Sequence, residues 1–369
     1  MSLRIATFNI ENLIGRFDLS GLASEQQRDR SLRLFAIESE ADYRALEEAR
    51  ALVHADDTRQ LTALAISDTA ADIICMQEVG SREVLDAFEE GYLYKMVGRG
   101  YRHKCMAPGN DARGMEVAVM TRAATSDGEP IEFLGMQSHA THSFADLALH
   151  NSDLAALGVH PNERVFRRDC LEVDLAVGGR PITIFVTHLK SMESKSADID
   201  GRMATMSVRT AEARAIRYII EQKFGSRSAE AHWLVLGDLN DYRERLAISG
   251  DKRSGHRFEP VRESSSSLDA LLDDGFAVNL IERRDVTDRW TTYFTEGPEI
   301  RHLAQLDYIL ASPALARANP DAVPDIIRAG QPYRTIFPPG QEVERYPRTG
   351  WDRPKASDHC PVAVTLDLS

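Results

Sequence analysis

Acidic, amide and imidazole side chains recur in one kind of place along this chain, just after short apolar runs. Asn9 and Glu11 follow the first run in Thr7-Phe8-Asn9-Ile10-Glu11-Asn12, and Glu78 ends Ile73-Ile74-Cys75-Met76-Gln77-Glu78. His188 ends Ile184-Phe185-Val186-Thr187-His188, Asp238 and Asn240 end Leu234-Val235-Leu236-Gly237-Asp238-Leu239-Asn240, and Asp358-His359 directly precedes the last run. A hard cation such as Mg²⁺ takes oxygen from one or two carboxylates plus water and phosphate. Glu78 with Asp358 or Glu11 supplies such donors. Asn9 and Asn240 are neutral amides that orient a phosphoryl oxygen without adding repelling charge. His359 carries the side chain best suited to take a proton from water near neutral pH, and a carboxylate behind it would fix its tautomer. A single carboxylate after a strand is most often a turn or cap residue, but several strand ends built alike point to one site.

The runs themselves read as strands: Leu3 to Phe8, Asp72 to Met76, Val117 to Met120, Ile182 to Thr187, Trp233 to Leu236, Leu306 to Leu310 and Val362 to Leu366. Helical patterns lie between some of them, over Ser24 to Ala55, Thr58 to Thr69, Glu83 to Glu90 and Met203 to Phe224. In the last, Met203, Met206, Ala211, Ala215, Ile216, Ile219 and Ile220 share one expected apolar stripe. Met115 to Met120 followed by Ile131 to Leu134 reads as a hairpin. Strands and helices alternate without strict order, which predicts mixed sheets covered by helices. Gln137 to Glu163, Ser249 to Ser267 and Ser312 to Ala356 read as long surface loops within a single domain, because strand patterns resume after each.

At 369 residues and 43% hydrophobic, the chain is long and apolar enough for a large core, which excludes disorder of the whole. No run of apolar residues is long enough to span a bilayer, and the first residues lack a signal-peptide core, so the expectation is a soluble, cytoplasmic protein without a membrane partner. Cys75, Cys105, Cys170 and Cys360 are isolated and read as buried free thiols rather than disulfides or zinc ligands. The net charge of −13 weighs against a strong non-specific nucleic-acid binder, although a bound cation or a basic rim can reverse the field locally.

Taken in order, Phe8-Asn9, Gln77-Glu78, Thr187-His188-Leu189, Gly237-Asp238-Leu239-Asn240, Leu306-Asp307-Tyr308-Ile309-Leu310 and Ser357-Asp358-His359-Cys360-Pro361-Val362 cover nearly the whole chain. This series resembles the endonuclease/exonuclease/phosphatase family, which includes pancreatic-type deoxyribonuclease. The resemblance implies a four-layer α/β sandwich, two mixed β-sheets packed face to face and flanked by helices, with the site at one end. It implies Glu78 as metal ligand, with Asn9, Glu11 and Asp358 lending direct or water-mediated ligation to Mg²⁺, or alternatively to Mn²⁺. Asp238 and Asn240 would position water and a phosphoryl oxygen. His359, oriented by Asp307, would serve as general base or as phosphate-contacting acid, and His188 would donate to the scissile phosphate. His at position 188, where apurinic endonucleases carry Tyr, points away from abasic-site repair.

Arg113, in Arg113-Gly114-Met115-Glu116, and Lys190, next to His188, are further substrate-facing candidates, against the plainer reading of solvated cations. His139, His142, His150 and His160 are irregularly spaced and joined by no Cys, so a surface insertion is the expectation rather than zinc. Trp290, Tyr293 and Phe294 read as sheet packing before base stacking. The mixed charges from Arg28 to Arg50 read as a solvated helical face. Three functions follow: a magnesium-dependent nuclease or small-molecule phosphodiesterase first, a phosphomonoesterase on a sugar, inositol or nucleotide phosphate second, and a non-catalytic binding module on the same fold third. The filled positions argue against the last.

Overall fold

The computed structural model describes residues 2–13, 39, 56–193, 200–296 and 300–368. Apart from Ser39, the helical pattern expected over Ser24 to Ala55 lies outside the described residues.

One six-stranded sheet contains β1 (Ser2–Leu13), β2 (Ile73–Val79), β3 (His103–Met106), β4 (Glu116–Thr121), β15 (Asp325–Ile326) and β16 (Val362–Asp367), in the order β15-β16-β1-β2-β4-β3. The other contains β5 (Ile131–Ser138), β6 (Cys170–Val177), β7 (Arg180–His188), β8 (Trp233–Asp238), β11 (Val278–Asn279) and β14 (Asp307–Ala311), in the order β11-β14-β8-β7-β6-β5. The pairs β1–β2 and β7–β8 are parallel and the other neighbours are antiparallel, so both sheets are mixed. Among the described residues, no helix is long and apolar enough to cross a membrane.

Strand alternation explains both the layers and the aim of the polar strand ends. Leu3 and Ile5 of β1, Ile182, Ile184 and Val186 of β7, Leu234 and Leu236 of β8, and Ile309 and Ala311 of β14 fill the space between the sheets. Ala6, Phe8 and Ile10 face the opposite way, against Leu61 and Ile66 of a helix over residues 56–69. On the far side of the second sheet, Trp233 and Val235 pack on the helix Gly201–Phe224. Helix, sheet, sheet and helix make the four layers. All four cysteines are free and buried.

Three expectations change. Met115 to Met120 and Ile131 to Leu134 do not form a hairpin: β4 pairs with β2 and β3, whereas β5 pairs with β6 in the other sheet. A short connection carries the chain from sheet to sheet, a choice fixed by the inter-sheet core and not by local turn chemistry. Residues 249–267 are not an irregular loop, because most of them lie in β9 (Glu244–Asp251) and β10 (Gly255–Arg262). These join β12 (Thr292–Glu296) and β13 (Ile300–Ala304) in a third sheet ordered β10-β9-β13-β12. On the long helix, the buried face runs through Val208, Ala211, Glu212, Ala215, Ile216, Ile219 and Ile220, while Met203 is 52% exposed. Trp290 is buried against Phe337, their ring centroids 5.1 Å apart, as packing requires.

Candidate active site

Asn9, His188, Asp238 and Asp307 continue the inward rows of β1, β7, β8 and β14, so strand alternation carries the apolar core directly into a polar cluster at one end of the sandwich. The β7–β8 register places His188 beside Asp238, and the β14–β8 register places Asp307 on the other side. Gly237 permits this closeness: a Cβ there would lie 1.9 Å from the Thr187 carbonyl oxygen. Glu78 breaks alternation. Its φ of +66° sits at a register shift in β2 and turns the carboxylate toward the cluster. Glu11, Asn12 and Asn240 also have positive φ, and strained backbone of this kind gathers where side chains must be aimed.

Asp238 is the focus. Its Oδ2 accepts from Asn9 Nδ2 and Asn240 Nδ2, each at 3.0 Å, and its Oδ1 accepts from the Asn240 backbone N–H at 2.9 Å. His188 Nε2 lies 3.4 Å from Oδ2 and His359 Nε2 lies 3.8 Å from it. Burial, reinforced by Asp307 and opposed by His359, pushes the Asp238 carboxyl up to about 7. His359 Nδ1 bonds Asp307 Oδ2 at 2.8 Å. Burial opposes the imidazolium, but the Asp307 and Asp238 carboxylates outweigh it and hold His359 well above the usual histidine range. His188 behaves oppositely, since burial and then the Arg168 guanidinium keep its imidazole neutral.

Glu78 accepts from Asn12 N–H at 2.9 Å and lies 3.4 Å from Asn9 Nδ2. Glu11 Oε1 is held by Arg353 and by Lys355 Nζ at 3.2 Å, while its buried Oε2 has no partner among the described residues. Asp358 is half exposed, 4.0 Å from His359 Nε2. Among the described residues, no three His, Cys, Asp or Glu side chains are grouped to hold a metal ion by themselves.

A model of the Endonuclease/Exonuclease/phosphatase family matches residues 6–359. The chain belongs to this family. A solved endonuclease/exonuclease/phosphatase family protein from Bacteroides thetaiotaomicron is 12% identical with a TM-score of 0.51, covering 99% of this chain and 97% of its own. The human Nocturnin catalytic domain, solved with bound sulfate, is 13% identical with a TM-score of 0.50, covering 99% and 94%. TDP2 from Caenorhabditis elegans is 13% identical at 0.49, covering 99% and 75%. These likenesses concern the fold, and no curated protein matches the sequence. Endonuclease/exonuclease/phosphatase proteins are in general phosphoester hydrolases, which places this chain among hydrolases.

Within this family frame, the structure brings Asn9, Glu78, His188, Asp238, Asn240, Asp307 and His359 together. Arg113 and Lys190 stand at the margin. Arg113 is exposed and bonds both oxygens of Asp111, and Lys190 Nζ turns to Ser191 Oγ at 2.9 Å. Both nonetheless add positive potential at His188. The histidine-rich stretch is a packed insertion. His139 bonds Glu172 at 2.9 Å and stacks on His142, while Phe144, Leu154 and Phe166 join the core beneath the long helix.

Three polar residues that hold the cluster in place were given no role by the sequence reading. Ser357 Oγ donates to the Asn9 carbonyl at 2.7 Å and accepts from His359 N–H at 3.0 Å. Buried Arg168 donates to Asp111 and to the Leu189 carbonyl, each at 3.0 Å. Glu212, on the long helix, accepts from Arg167 N–H at 2.9 Å and Lys190 N–H at 2.7 Å, tying the segments on either side of His188 to one carboxylate. A glutamate within an otherwise apolar helical stripe was the available clue.

Proposed function

We propose that this chain is a magnesium-dependent phosphodiesterase that hydrolyses P–O bonds by in-line attack of water, on nucleic acid or on a small phosphodiester. The observation that carries this reading is the line Asp307–His359–Asp238, with Asp238 fixed by three donors and two imidazoles of opposite charge state beside it.

The donor set suits a hard cation. Glu78, the Asn9 amide oxygen, Glu11 Oε2, which has no partner among the described residues, and exposed Asp358 are all oxygen donors, and Mg²⁺ needs only one or two carboxylates because it keeps several waters. When bound, the cation would neutralise charge developing on the phosphoryl group and leaving oxygen.

Burial raises the Asp238 carboxyl well above the usual carboxylate range, which makes it a stronger base suited to take a proton from the attacking water. His359 is the cationic partner. Its Nδ1 is committed to Asp307, so Nε2 is left to donate to a phosphoryl oxygen, and the electrostatics favour this role over general base. Neutral His188 supplies a second donor, and Asn240 holds both Asp238 and the Leu189 carbonyl in register.

Hydrolysis of plasmid DNA, RNA, a chromogenic phosphodiester and phosphomonoesters with and without Mg²⁺ tests the proposal. Metal-dependent diester cleavage, lost in His359→Ala and Asp238→Asn, is expected. Full activity in those variants would sink the mechanism, and cleavage of monoesters alone would replace the diesterase reading with a phosphatase.

A further inference from the structure

Two large aromatic side chains stand out from the surface on the segment that leads into His359. Trp351 is 63% exposed and Tyr333 is 55% exposed. The other two tryptophans, Trp233 and Trp290, are buried. The exposed pair is not on a loose end. Tyr333 N–H donates to the Gly350 carbonyl at 3.0 Å and Arg334 N–H to the Trp351 carbonyl at 2.8 Å, so the two rings ride on paired backbone. Gly350 N–H returns to the Pro354 carbonyl at 2.8 Å, and a Cβ on Gly350 would lie 2.0 Å from the Arg353 carbonyl oxygen, which makes this a tightly closed turn.

That turn is fastened to the candidate active site on two sides. Arg353 reaches back to Glu11, while Gln331, two residues before Tyr333, donates to the carbonyls of Ser357 at 3.3 Å and His359 at 3.1 Å. Cations accompany the rings. Lys252 Nζ, from the β9–β10 turn, lies 5.2 Å from the Trp351 ring centroid, and the Arg345 guanidinium lies 5.7 Å from that of Tyr333.

We propose that Trp351 and Tyr333, with Lys252 beside them, are a stacking platform for the bases of a single-stranded nucleic-acid substrate. Every base offers a π-face, so aromatic platforms hold a strand without reading its sequence, and neighbouring cations hold its phosphates. Bases within a duplex are stacked on one another, so a platform of this kind selects single strands. Lys252 and Arg345 also place positive charge locally, where a chain of net charge −13 would have to hold a polyanion. The inference rests on the phosphodiesterase reading and narrows its substrate class.

The test is binding by the full chain in chelating buffer, read by polarisation of a fluorescent oligothymidylate and by quenching of tryptophan emission. An abasic oligonucleotide of equal length serves as the second probe. Expected are quenching by the base-bearing strand only, loss of that quenching in Trp351→Phe with most affinity kept, and affinity about 5- to 100-fold lower in Trp351→Ala. Equal affinity for the base-bearing and abasic strands would overturn the platform. So would wild-type affinity in Trp351→Ala, or tighter binding of a blunt duplex. Quenching is read without turnover, so an inert protein that still binds and quenches would overturn the phosphodiesterase reading while leaving the platform standing.

Discussion

Asp307 and His359 are bonded at 2.8 Å although they lie 52 positions apart and belong to opposite halves of the sandwich, one opening β14 and the other leading into β16. The imidazole therefore takes its orientation and its charge in large part from a carboxylate on the facing sheet. Replacing Asp307 with Asn keeps the shape and removes the charge. On the reading above, kcat falls by about 10²- to 10⁴-fold while substrate affinity changes little. Steady-state kinetics on a chromogenic diester checks this, and a variant within threefold of wild type would remove His359 from the chemistry.

Glu78 and Glu11 are expected to differ in metal dependence. Glu11 Oε1 is already engaged by Arg353 and Lys355, whereas among the described residues the Glu78 carboxylate is hydrogen-bonded by the neutral N–H donors of Asn9 and Asn12. Titration of activity with Mg²⁺ should show the half-saturating concentration raised at least about tenfold in Glu78→Gln and less in Glu11→Gln. The reverse order would move the metal anchor to Glu11.

Glu212→Ala leaves two partly buried backbone N–H groups, of Arg167 and Lys190, without their acceptor. A fully buried group would cost about 1–3 kcal/mol, so urea unfolding should show a loss of about 1–3 kcal/mol for the partly buried pair. Activity should fall as well, through kcat, because the same carboxylate fixes the segments flanking His188. Glu212→Gln, which keeps one oxygen acceptor, is expected to recover part of both.

His302 offers a test of stability against pH away from the chemistry. It lies on β13 with its ring 5.0 Å from Phe294 and 5.9 Å from Tyr242, and burial, helped by Arg245, pushes its pKa down to about 4. A depressed histidine pKa means that folding favours the neutral ring. Its contribution is present above the unfolded value of about 6.5 and is lost as pH falls toward 4, up to about 3 kcal/mol. His302→Phe keeps the stacking and should flatten the loss of stability between those two pH values in denaturant titrations.

Much of the candidate site was legible because strand alternation runs unbroken to the polar residue. Ile184, Val186 and His188 share a face, as do Leu234, Leu236 and Asp238, so a reader of the apolar pattern also reads the aim of the last side chain. Glu78 was legible as a residue type but not as a geometry, since its orientation comes from a positive φ that no periodicity encodes. The β9–β10 hairpin escaped notice because many of its residues are exposed and its sequence carries little apolar alternation. The separation of β4 from β5 was hidden for another reason: which sheet a strand joins is settled by contacts far away in sequence. Arg168, Glu212 and Ser357 act largely through backbone groups, so their roles could not be read from side-chain patterns alone.

The bond from Ser357 to the Asn9 carbonyl closes a loop of 348 positions, and β16 pairs with β1 beside it. During synthesis β1 leaves the ribosome well before β16 and must wait, with one edge open, for that strand of its own sheet. Until Ser357 and His359 arrive, just ahead of β16, Asn9 lacks its Ser357 partner and Asp307 has no imidazole to orient. The polar cluster is therefore completed only once these two distant stretches have met, after most strands of both sheets are already available to pair.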